Sequence, residues 1–128
     1  MKKFFFLGLF FLCSETIISQ NIAPEIKFEK EFIDYGAIEP SSEGTRVFTF
    51  INNGNAPLII KNVQSSCGCT IPKKPEDPID PGEKGEILVR YDTNRIGVFN
   101  KSIIVTSNAN SDPIITLRIT GIVGIKGK

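Results

Sequence analysis

Short runs of apolar residues alternating with polar ones, each stopped by a cluster of turn formers, constrain this chain more than any other feature. Ile26, Phe28 and Phe32 alternate with Lys27, Glu29 and Glu31, in a run expected to end at Tyr35-Gly36. Phe48 and Phe50 alternate with Val47, Thr49 and Ile51 until the cluster Asn52-Asn53-Gly54-Asn55. Leu58, Ile60 and Val63 follow Pro57, and Ile87, Val89 and Tyr91 alternate with Glu86, Leu88 and Arg90. Phe99, Ile103 and Val105 form a run stopped by Ser107-Asn108-Ala109-Asn110. Ile115, Leu117 and Ile119 alternate with Thr116, Arg118 and Thr120 before Gly121 leads into Ile122-Val123. A period of two sends successive side chains to opposite faces of a strand, so these runs predict sheets buried on one face. No segment carries a helical period.

Counting a short strand from Cys67 to Ile71, the reading predicts about seven strands. A chain of 128 residues has room for one domain. An all-β domain of that size covers its apolar faces by stacking two sheets or closing a barrel. Strand number and length favour an immunoglobulin-like β-sandwich over residues 20–128. Its expected core is Phe28, Phe48, Phe50, Ile87, Val89, Ile103, Val105, Leu117 and Ile119.

One stretch interrupts the strands. Pro72 to Gly85 holds Pro72, Pro75, Pro78 and Pro81, and Asp80-Pro81-Gly82 suits a tight turn. Proline cannot donate to a ladder, so the whole stretch is expected to be a partly rigid loop. As the longest connection it is the candidate contact surface, with Lys73, Lys74, Glu76, Asp77, Asp80 and Glu83 as its charged residues. The acidic residues lack the spacing of a calcium loop and have lysines among them, so a solvated loop is expected.

The first nineteen residues have the form of an export signal. Lys2 and Lys3 precede an apolar run from Phe4 to Cys13, and Ser14 to Ser19 is more polar. The run is too short for a membrane anchor. Leu12 is too large for the position before a lipid-modified cysteine, so cleavage after Ser19 is expected, giving a mature chain that begins at Gln20. The leader would remove two of the fifteen cations and one of the fourteen anions, leaving thirteen of each. It would also remove Cys13, leaving Cys67 and Cys69 in a periplasmic or extracellular compartment that permits oxidation.

The balance of charge excludes a general pull toward nucleic acid or anionic lipid. There is no histidine, which removes Ser-His-Asp and Cys-His catalysis and every zinc site built on imidazole. Asn100-Lys101-Ser102 matches a glycosylation triplet inside an expected strand, where chance is the better account. Arg46, Arg90, Arg95 and Arg118 form no basic stripe and are read as solvated or cross-strand residues.

The chemical motif is Cys67-Gly68-Cys69-Thr70. Residues i and i+2 on a strand face the same way, so the thiols converge. Three readings follow. The sulfurs are structural, packed in the core or joined as a local disulfide that Gly68 lets close and whose tiny loop adds little stability. They hold a soft ion such as Cu(I), although neither His nor a Met of the mature chain is there to complete the site. Or they do thiol-redox chemistry, without the C-x-x-C spacing at a helix start that usually supports it.

The run from Phe48 to Val63, then Ser66-Cys-Gly-Cys-Thr, then Pro78-Ile-Asp-Pro-Gly-Glu-Lys-Gly, then Gly97 with Phe99 to Asn108, resembles the bacterial family called domain of unknown function 1573. The resemblance covers about Ile26 to Val123. It implies an exported protein of a kind common in Bacteroidota, with a seven-stranded sandwich related to Hydin-type and major-sperm-protein domains. It implies no reaction.

The expected function is that of an exported, non-enzymatic module binding another protein or a cell-envelope component, through an open sheet edge or the proline-rich loop. No cofactor, nucleic acid or membrane span after leader cleavage is expected. The alternative is a copper-binding or thiol-redox protein acting through Cys67 and Cys69.

Overall fold

The first apolar run makes two strands rather than one, and they lie on different sheets. In the structure, a computed structural model describing residues 22–124, β1 (Lys27–Phe28) pairs antiparallel with β3 (Thr45–Ile51). The chain crosses through Glu29 to Glu31, and β2 (Phe32–Ile38) then runs parallel to β8 (Ile114–Val123). The inner faces of two stacked sheets look in opposite directions. A strand that crosses without turning about its axis therefore exchanges its buried and exposed parities. Ile26 and Phe28 are buried, but Phe32, in the same alternation, is 52% exposed, and Tyr35 is buried instead. Gly36 does not end the run. Its φ of 72° makes a bulge between Asp34 and Ala37, and pairing resumes through Ile38.

The other strands are β4 (Ile60–Ser65), β5 (Thr70–Lys73), β6 (Lys84–Tyr91) and β7 (Gly97–Ser107). Eight strands thus form two four-stranded sheets, ordered β1-β3-β6-β5 and β2-β8-β7-β4. The described residues contain no helix. The fold is the expected all-β sandwich with one strand more, the extra one arising from the sheet crossing. The expected leader, residues 1–19, lies outside the described residues.

All nine expected core residues are buried, and Phe50, Ile87, Val89, Ile103, Leu117 and Ile119 are at 0% exposure. Burying each such side chain contributes roughly 1.5–3 kcal/mol, so the facing strands β3, β6, β7 and β8 carry most of the stability. Leu58, Ile60, Tyr35, Tyr91, Phe99 and Val123 join them in the core, with Ile26, Cys69 and Ala109. Phe28 packs tilted on Phe50 with ring centroids 5.3 Å apart, and Tyr91 stacks on Phe99 at 3.8 Å.

Two local expectations need correction. Cys67 to Cys69 is a turn rather than the start of a strand, and β5 begins at Thr70. Pro72 belongs to β5, while Lys84 and Gly85 belong to β6, so the loop shrinks to Lys74–Glu83.

The phase of the ladder explains how a strand holds Pro72. Asp92 N–H donates to Cys69 O at 2.9 Å, and the unbroken register pairs Ile71 with Arg90 and Lys73 with Leu88. In an antiparallel ladder bonded pairs alternate with unbonded ones, so Ile71 and Lys73 bond to β6 while Pro72 faces its missing donor to solvent. Pro75 falls on the bonding phase, where the same register would set it opposite Glu86. It has no N–H to give, and β5 stops before reaching it.

Candidate functional site

The early end of β5 leaves an opening beside β6. On its other flank β6 is bonded to β3 along its whole length, with Tyr91 N–H donating to Gly44 O at 3.0 Å and Asn52 N–H to Glu83 O at 3.0 Å beyond the two ends. Those bonds set the odd-numbered residues of β6 toward β3 and the even-numbered ones toward β5. Leu88 and Arg90 meet β5, but Glu86 and Lys84 face the gap, and no backbone hydrogen bond from the loop reaches Glu86. The gap is a groove of about 600 Å³ between β6 and the loop, with Thr49, Pro75, Ile79, Gly85 and Leu88 among its lining residues.

Four of the six expected contact residues, Lys73, Lys74, Glu76 and Asp77, come together in this groove. Asp80 and Glu83 do not. They form the ends of the tight turn around Pro81-Gly82, where Glu83 N–H donates to Asp80 O at 2.9 Å and Gly82 has φ 83°. Lys74 pairs with Glu76 at 3.6 Å, and Lys84 with Glu29 at 3.6 Å across to the β1–β2 crossing. Lys84, Glu29 and Glu76 are well exposed and Lys74 is partly buried, and such surface pairs contribute no more than about 1 kcal/mol each. Among the described residues Lys73 and Asp77 have no ion-pair partner.

The loop is tethered at its middle. Ile79 and Leu58 exchange backbone hydrogen bonds of 2.8 and 2.9 Å. Behind them lies Asn52, read from the sequence as one member of a turn cluster but fully buried. Its Oδ1 accepts from Gly54 N–H at 2.9 Å and Glu25 N–H at 3.3 Å, and its Nδ2 donates to Ala56 O at 2.7 Å and Ile79 O at 2.9 Å. Its own backbone bonds Gly82 and Glu83. Through its satisfied side-chain amide and its backbone, Asn52 therefore joins the N-terminal lead, the β3–β4 connection, and the middle and C-terminal end of the proline-rich loop. Its only sequence signal is position, directly after an alternating strand.

At the opposite end of β5, Cys67 and Cys69 are joined as a disulfide with Cα atoms 5.3 Å apart. The turn is held independently of the sulfurs. The Ser65 hydroxyl shares its one proton between Cys67 O and Thr70 O, at 2.5 and 2.9 Å, and Thr70 N–H donates to Cys67 O at 3.3 Å. Ser66 N–H reaches across to Ser102 O at 2.9 Å. Among the described residues no third His, Cys, Asp or Glu joins them in a group that could hold a metal ion.

Near this end Tyr35 is buried, with its hydroxyl donating to Gly44 O at 2.7 Å and the Arg46 guanidinium 4.0 Å over its ring. Burial pushes the Tyr35 hydroxyl up to about 12, against the pull of Arg46. A polar hollow of about 610 Å³ lies nearby between Ser41–Thr45 and Arg90–Asn94. Its two loops bond to each other through Ser41 N–H to Thr93 O and Thr93 Oγ1 to Ser42 O. Of the other arginines, Arg118 donates to Asn100 within the glycosylation triplet at 2.7 Å.

The same fold occurs elsewhere at low sequence identity. A protein of unknown function from Porphyromonas gingivalis W83 superposes with a TM-score of 0.73 at 13% identity, over 84% of this chain and 51% of its own. The chain thus spans about half the length of that protein. The ASH/PapD-like domain of human CEP192 gives 0.68 at 8% identity, over 95% and 99% of the two chains. The C. elegans protein WR4, an MSP family member, gives 0.53 at 12%, over 77% and 97%. At such identities the likeness shows the immunoglobulin-like fold alone. Among curated protein sequences none matches. The model of the family described as protein of unknown function (DUF1573) matches residues 26–123, from the residue before β1 to the last of β8, and the chain belongs to that family.

Proposed function

We propose that this chain is an exported, non-enzymatic binding module of the cell envelope that takes an extended segment of a partner protein at the open flank of β6. The observation that carries the reading is the Glu86 backbone, whose N–H and C=O face a groove with no strand or loop among the described residues bonded to them. An added strand would gain those main-chain bonds, and Leu88, Ile79 and Pro75 would give it apolar contact. The other edges are less receptive. β5 turns Pro72 outward, β2 and β4 each carry a register shift, and β1 has two residues. Export rests on the leader, and the non-enzymatic reading on the lack of histidine and of any nucleophile beside a base.

A displayed library of extended peptides, selected on residues 20–128, tests this. Selected peptides are expected to slow amide exchange at Glu86 and Lys84. Glu86→Pro should lose them by tenfold or more, since it removes a donor facing the groove and none facing β3. Alanine replacement from Lys73 to Glu83 should weaken the same binding. Peptides that protect β4 or β2 instead, and bind Glu86→Pro unchanged, would refute the site.

A further inference from the structure

We propose that Cys67 and Cys69 are a thiol–disulfide exchange site, in which Cys67 is the sulfur open to attack and Cys69 the sulfur that leaves. The inference is independent of the groove, at the other end of β5.

Four observations carry it. The bridge spans one intervening residue, so it closes almost no loop and adds little to folding. The turn already has its shape from the Ser65 hydroxyl and the N–H groups of Ser66, Thr70 and Asp92, which bond to carbonyl oxygens and not to sulfur. Opening the bridge would leave two thiols facing each other on an intact turn, as a reversible dithiol requires. The sulfurs also differ in access. Cys69 is 6% exposed, Cys67 is half-buried, and Gly68 between them has nothing within 4 Å of where a Cβ would stand. Finally, each sulfur has a donor for the charge it carries once the bond opens. Cys69 N–H donates to Cys67 Sγ at 3.1 Å, and the Thr70 hydroxyl lies 3.9 Å from Cys69 Sγ.

The exchange balances with an external thiol. Its thiolate attacks Cys67 Sγ, the bond to Cys69 breaks, and the electron pair stays on Cys69 Sγ as a thiolate. The Thr70 hydroxyl faces that charge. A second external thiolate attacks the incoming sulfur of the mixed disulfide and releases Cys67. Two protons complete the dithiol, and two external thiols have become one disulfide. Oxidation of the pair by a disulfide runs the same steps in reverse.

Glutathione is the probe. The purified mature chain, equilibrated in mixtures of reduced and oxidised glutathione and quenched by alkylation, is expected to interconvert reversibly between disulfide and dithiol by intact mass. Cys69→Ser should accumulate the glutathione adduct on Cys67 about tenfold more than Cys67→Ser does on Cys69. A buried serine can harm folding, so the reduced wild-type chain gives a second readout. Pulsed alkylation should label Cys67 about tenfold faster than Cys69, with the circular dichroism of the oxidised protein retained. A bridge untouched by millimolar glutathione, equal trapping in the two variants, equal labelling rates, or loss of fold on reduction would each overturn the assignment.

Discussion

β6 has two flanks that the molecule treats differently. Toward β3 its ladder is complete from Lys84 to Arg90 and runs on past both ends, through Glu83 and Tyr91. Toward β5 it is paired only from Leu88 to Tyr91. The closed flank ends against buried polar side chains, Asn52 at one end and Tyr35 at the other, each bonded to a loop carbonyl. The open flank ends at a proline standing on the bonding phase of the ladder. An edge can therefore be kept open beside a rigid strand by the placement of one imino acid, provided that the opposite flank and its ends are fixed.

Asn52→Ala attacks that fixation and should have the largest effect. It removes four hydrogen bonds and strands two N–H groups, of Glu25 and Gly54, and the Ala56 carbonyl, while Ile79 O keeps its bond from Leu58 N–H. A loss of roughly 2–4 kcal/mol is expected in urea unfolding. Asn52→Asp retains the acceptor for Glu25 and Gly54 but not the donor for Ala56 and Ile79, and should keep part of the loss. An alanine variant as stable as the native chain would mean that the closed flank does not depend on its end.

The other end of the same flank is tested by pH. Gly44 O accepts from both Tyr91 N–H and the Tyr35 hydroxyl. Burial raises the folded value of Tyr35 to about 12 from 10.0. With a raised value, the contribution is fully present below pH 10 and is lost as pH climbs through 12. About 2–3 kcal/mol of stability should disappear across that window. Tyr91 is shifted in the same direction, chiefly by burial, and should steepen the fall. Tyr35→Phe removes the larger part of the fall and leaves only that of Tyr91. Chemical unfolding at stepped alkaline pH, with tyrosinate absorbance, measures both.

Much of the fold was legible because β3, β6, β7 and β8 each bury one face, and one buried face writes itself as a period of two. Phe48, Phe50, Ile87 and Leu117 could hardly point elsewhere. The split of β1 from β2 was not legible. Glu29 to Glu31 continue an extended, alternating run, and nothing local says that the chain has changed sheets and exchanged its parities. Asn52 was hidden for a different reason. An asparagine after a strand has the same turn chemistry whether it points to water or into the core, and only the approach of Ile79 and Glu25 decides. Of the site, the charged loop residues were legible as a cluster. Their division into groove and turn depends on the Leu58–Ile79 bridge, a contact between distant segments. The different roles of Pro72 and Pro75 follow only once the ladder phase is known.

That last difference gives the sharpest test, and the smallest change in stability. Pro75→Val supplies the N–H that the ladder lacks opposite Glu86. If proline is what ends β5, the variant should extend the strand by one bonded pair and fill the notch with its own chain. The Glu86 amide should then exchange on the order of a hundredfold more slowly, since it gains a carbonyl partner at a native ladder position. Net stability should change by less than about 1 kcal/mol, because the new pair is offset by the greater freedom that valine gives the unfolded chain. Peptides that bind the native groove should lose the variant, as they lose Glu86→Pro, although one change adds a bond and the other removes a donor. If the Glu86 amide of Pro75→Val exchanges as fast as in the native chain, the course of the loop is set by Ile79 and Leu58, and the proline only follows it.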